Sequence, residues 1–234
     1  MKDSEIDRLL QAAHDPDPGP DPDALDRIAA SVQQSLRPVR PLPSPWALAA
    51  GLLLIALAVA LLGAARVGFA GIERMEPWQR LLIFPALGIL AVLAATEFVS
   101  SMIPGSRRRI SSGALLAVAV AALLAVFALS FRDYQTARFV SEGLACLIRG
   151  TLHAIPVAIL SWLLMRRGFA VNPASSGLAV GALSGLAGLG VLELNCPNSQ
   201  AAHVLVWHTA VVLVSAAAGT VVAWALHRLT SISR

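Results

Sequence analysis

Residues 193–208 read ELNCPNSQAAHVLVWH and set Glu193, Cys196, His203 and His208 between two long apolar runs. Fifty residues before Cys196 stands the chain's other cysteine, Cys146, with Arg149 and His153 at i+3 and i+7. That spacing puts the three on one helical face. Polar groups this dense beside membrane-grade segments are expensive, so the default is that they act. Three chemistries compete. Cys146 and Cys196 can form a reversible or structural disulfide. The two thiols with His203 or His208 can ligate a soft metal ion such as zinc, copper or cadmium. Or the thiols and histidines are inert and buried. His208 does not easily join His203 on one ion, because five residues of α-helix turn it away by about 140°. Glu193 is the expected ion-pair partner of Arg149, since an unpaired charge at that depth is costly.

The elements that must hold these residues follow from composition. The chain has 234 residues, 56% hydrophobic and 14% charged, with mean hydropathy +0.70. An ordinary soluble domain carries about a quarter charged residues, so this is a membrane protein. Six apolar runs, near 46–65, 81–103, 112–131, 144–165, 177–194 and 202–226, have the length of about 20 residues that a spanning helix needs. The fold class expected is all-α and polytopic, with a membrane domain over 45–228 and a short end at 229–234. Links two and four carry Arg107, Arg108, Arg109 and Arg166, Arg167 without an acid, whereas the odd-numbered links mix signs or lack basic residues. Positive-inside counting places both termini in the cytoplasm. Both cysteines then lie at the outer, oxidation-permitting side.

The first 44 residues are a polar tail. Residues 1–40 hold eight acidic and five basic side chains, a net of −3 against +4 for the whole chain. The charge is therefore no nucleic-acid signature. Ile6 and Leu9 mark one short helical stripe. After an Asp-Pro run, Asp21 caps a second helix whose apolar stripe is Leu25, Ile28, Val32 and Leu36. Such a stripe suits a helix that docks on a partner. Gly177, Gly181 and Gly185 recur every four residues in span five, a small-residue face for helix packing and, as a lesser reading, for a homo-oligomer. No C-x-x-C, G-x-S-x-G, H-E-x-x-H or phosphate-binding glycine loop occurs. An enzyme is not expected, nor any cofactor beyond a metal ion acting as signal.

The run N-C-P-N-S-Q-A-A-H-V-L-V-W-H (195–208) resembles the Cys-Pro … His … Trp-His signature of the NrsF family, negative regulators of a sigma factor. Cys146 matches that family's other cysteine, and L-R-P-V-R-P-L-P-S-P-W (36–46) looks like its approach to the first span. The resemblance implies a bacterial inner-membrane anti-sigma factor, which holds an extracytoplasmic-function sigma factor by its cytosolic N-terminal segment. It also implies that the periplasm-side cysteines sense the releasing signal. Residues 1–35 look longer than the family's usual leader, which leaves open which tail helix meets sigma. The alternative reading is a membrane thiol oxidoreductase or small transporter using the same Cys/His cluster.

Overall fold

The computed structural model describes residues 21–35, 43–103, 106, 110–136, 138–165 and 172–232. The chain divides after Pro41 into two units. In the first, α1 (Pro22–Ser35) starts as its sequence dictates: the Asp21 side chain accepts the backbone N–H of Asp23 at 3.1 Å, and proline fills the first turn. Leu25, Ile28 and Val32 follow at helical spacing and are 49%, 58% and 48% exposed. Ile6, Leu9 and Leu36 lie outside the described residues.

The second unit runs α2 (Pro45–Val67), α3 (Ala70–Arg74), α4 (Pro77–Ser101), α5 (Ser112–Ser130), α6 (Phe139–Met165) and α7 (Pro173–Asn195). It finishes with α8 (Ala201–His203), a π turn (Val204–His208) and α9 (Thr209–Ile232). Among the described residues, β-pairing is confined to one isolated bridge between Asp133 and Gln200. Among the described residues, six segments are long and apolar enough to span a membrane: α2, α4, α5, α6, α7 and the continuous run Ala201–Leu229. The protein is an all-α, multi-pass membrane protein. Caps fix where the helices begin. Ser44, Ser111 and Asn172 each accept a first-turn backbone N–H, and Glu76 with Gln79 forms a reciprocal capping box. Gly68 (φ 102°) ends α2 in a conformation that a side chain would strain.

One helix is the hub. Of the apolar window of α7, 89% is buried, against 28–33% for the other five spans. It packs against α2, α4, α5, α6 and α9. Its glycines explain how it can be enclosed. A Cβ on Gly177 would strike the carbonyl of Gly219, one on Gly181 that of Ser215, and one on Gly188 that of Gly150. Backbones therefore meet without intervening side chains. The glycine stripe offered above to a second copy is filled by the chain's own α9, so it presents no homo-oligomer surface.

At its N-terminal end α7 is fastened by hydroxyls. Ser176 bonds Ser101 of α4 at 2.8 Å, and Ser175 bonds Ser112 of α5 at 2.7 Å. Ser112 also donates to the Glu97 carboxylate of α4 at 3.0 Å. The C-terminal end of α7 carries Glu193 into the site.

Candidate functional site

Four elements bring the donors together. Cys146 comes from the second turn of α6, Cys196 from the residue after α7, and His203 and His208 from α8 and the π turn. One ligand atom from each lies within 4.8 Å of every other. The Sγ atoms of Cys146 and Cys196 are 3.5 Å apart, both cysteines are free, and Cys196 Sγ is 3.6 Å from His203 Nε2. Cys196, in the link beyond the span, is held above the ordinary thiol range. Its hydrogen bond to Cys146 is the larger cause and burial the second.

The π turn decides the arrangement. An i→i+5 turn holds one residue more than an α turn, so side chains five apart come back into register. His203 and His208 stand edge to face, ring centroids 5.3 Å apart, and both are fully buried. This corrects the expectation that an α-helix separates them. The neighbouring Trp207 is laid over Gly143 of α6, where a Cβ would collide with the indole, and packs tilted against Phe139, ring centroids 5.5 Å apart.

Glu193 is also not where the sequence put it. Its carboxylate accepts Nδ1–H of His208 at 2.6 Å, both groups being buried, whereas Arg149 is exposed on the flank of α6. A buried carboxylate needs a partner, and His208 reaches it from the next span. His153 leaves the cluster too: its Nδ1 meets the Arg149 carbonyl at 2.8 Å and its ring lies against Gly63 of α2. Thus Cys146, Cys196, His203, His208 and Glu193 converge, and Arg149 and His153 do not.

With its Nδ1–H given to Glu193, His208 keeps Nε2 buried and free of hydrogen bonds, and His203 keeps Nδ1 likewise. A carboxylate that fixes the imidazole tautomer and leaves the other nitrogen's lone pair available is the usual outer support of a metal-binding histidine. Two thiols and two imidazoles are the donor set of a tetrahedral soft-metal site.

The site is roofed by residues with no motif to announce them. Asn195 donates to the carbonyls of Val67 at 2.7 Å and Gly68 at 3.2 Å. Arg74 donates to the Pro197 carbonyl at 3.0 Å, and Asn198 to Glu142 at 2.8 Å. The backbone N–H of Ala201 bonds Asp133. Gly71 of α3 lies flush against the backbone of Glu193 and Cys196.

Residues 32–229 match the family model described as NrsF, negative regulator of sigma F. The chain belongs to the NrsF family. The match covers α2 to α8, the π turn, α9 as far as Leu229 and the whole Cys/His site, so these residues sit in an NrsF-type membrane regulator rather than an enzyme. Neither curated proteins nor solved structures return a match.

Proposed function

We propose that this NrsF protein is a bacterial inner-membrane anti-sigma factor with both termini in the cytoplasm. Its tail, residues 1–44, holds an extracytoplasmic-function sigma factor through the exposed stripe Leu25, Ile28 and Val32, with Ile6, Leu9 and Leu36 on the same tail. The arginines of links two and four set the orientation, which turns the Cys/His site to the periplasm. There a soft metal ion is the signal. What carries this reading is the convergence of four donor atoms within 4.8 Å, with Glu193 orienting His208. On binding, the ion takes both sulfurs as thiolates and two protons pass to water. It shifts sigma output only by preferring one bundle arrangement over the other, since equal affinity for both would shift nothing.

The 3.5 Å thiol contact favours a second reading, oxidation. A peroxide would take one electron and one proton from each thiol and leave as two waters. The sulfurs would close to about 2.05 Å.

Membranes holding the full chain and its sigma factor decide between them. Cadmium or peroxide is added, and sigma released to the supernatant is measured for the wild type, Cys146→Ser, Cys196→Ser and His208→Asn. Cadmium-driven release lost in all three variants supports the metal switch. Loss of peroxide-driven release in the cysteine variants alone supports oxidation. Undiminished release from the cysteine variants under both agents would mean that the signal enters elsewhere.

A further inference from the structure

Away from the Cys/His site, α2 and α6 meet at one end and leave a gap at the other. A Cβ on Gly63, late in α2, would lie 2.7 Å from the His153 ring of α6. Nearer the start of α2 a groove of about 610 Å³ opens between the same two helices. Leu48, Gly51 and Ile55 stand on one wall, and Leu160, Leu163 and Leu164 on the other. A Cβ on Gly51 would meet nothing within 4 Å. Every residue lining the groove is apolar, and Leu160 and Leu163 are exposed at its edge. The volume falls in the range of roughly 300–1,000 Å³ that ligand pockets occupy. In a bilayer such a groove is filled by an acyl chain, since water gains nothing from apolar walls.

The mouth of the groove says which lipid. α2 carries no charged residue before Arg66, and α6 none after Arg149. Arg166 and Arg167 then follow Met165, the last residue of α6, directly in the sequence. The start of α2 brings the positive end of a macrodipole to the same end of the groove. Against these the C-terminus of α6 sets only about half an elementary charge, so the mouth is cationic on balance. Basic pockets between spans suit anionic headgroups. We infer that this groove seats an acyl chain of an anionic phospholipid whose phosphate lies at the cationic mouth. A second copy of the chain fits worse, because a two-fold contact there would set Arg166 and Arg167 against their own counterparts. The inference needs only the membrane-spanning fold, and stands apart from the metal and sigma readings. In the orientation proposed above, the lipid comes from the cytoplasmic leaflet.

The test uses the purified full chain, stripped of native lipid in mild detergent. Phosphatidylglycerol or phosphatidylcholine with the same acyl chains is titrated in, and native mass spectrometry counts the lipid retained. The wild type should keep one phosphatidylglycerol at a several-fold lower concentration than phosphatidylcholine. Gly51→Leu, which fills the groove from one wall, should lose that tightly held lipid. Leu163→Trp, which narrows it from the other wall, should do the same. Arg166→Gln with Arg167→Gln should weaken phosphatidylglycerol to the level of phosphatidylcholine and leave phosphatidylcholine unchanged. Equal retention of both lipids by the wild type overturns the inference. A preference that survives both groove variants overturns the seat, because the headgroup is then held at the surface alone. One that survives loss of both arginines overturns the cationic mouth. A dimer carrying no lipid would give the groove to a second copy instead.

Discussion

The Glu193 carboxylate and His208 Nδ1 meet at 2.6 Å across two different spans, both shut away from solvent. The pair ties the C-terminal end of the central helix to the turn that carries both histidines. Replacing Glu193 by Gln keeps the shape and removes the charge that fixes the imidazole. Metal affinity should fall about 10–100-fold, the usual loss when such an outer partner goes. Chelator competition on the purified Glu193→Gln variant measures it, and unchanged affinity would show that His208 is no ligand.

Gly181 and Gly177 each face α9 backbone at a distance where no Cβ fits. Gly181→Val should therefore push α9 from α7 and cost about 1–3 kcal/mol or more by overpacking. Gly51→Ala is the control, because a Cβ there meets nothing within 4 Å. Thermal unfolding in detergent should separate the two by several degrees. Equal stabilities would mean that the close approach is not needed.

Ile28 is the most exposed of the three apolar anchors on α1. If the stripe docks on sigma, Ile28→Asp in the full chain should weaken binding by about 1–3 kcal/mol. Pull-down titration of sigma on membranes reports this. Retained binding would move the contact to the helix bearing Ile6 and Leu9.

Orientation has its own measurement. A reporter active only in the periplasm should be silent when fused after Arg234 and active when fused near Asp133. The opposite pattern would turn the Cys/His site to the cytoplasm.

Much of the fold was legible because membranes constrain sequences bluntly. Six runs of suitable length gave six helices long and apolar enough to span, and the glycine spacing of span five gave a close helix contact, between α7 and α9. Periodicity failed where one residue decides the outcome. His203 and His208 are five apart, and nothing in VLVWH distinguishes a π turn from an α turn. Arg149 was assigned to Glu193 on charge alone, whereas the π turn delivers His208 to it first. The roof was invisible as well. Arg74, Asn195 and Asn198 act through backbone carbonyls or single side-chain contacts whose partners lie far along the chain.

The π turn also bears on which changes in length the chain tolerates. It carries one residue more than an α turn, and Val206 within it points outward and is half exposed. Loss of Val206 would relax the turn to α periodicity and leave His203 and His208 four apart. They would still share a face, and α9 would still be in phase with the glycines of α7. Gain of a residue has no such outlet, since it would rotate His208 and every α9 contact by about 100°. The region that builds the site is thus asymmetric to mutation in length, tolerant of one codon lost and intolerant of one codon gained.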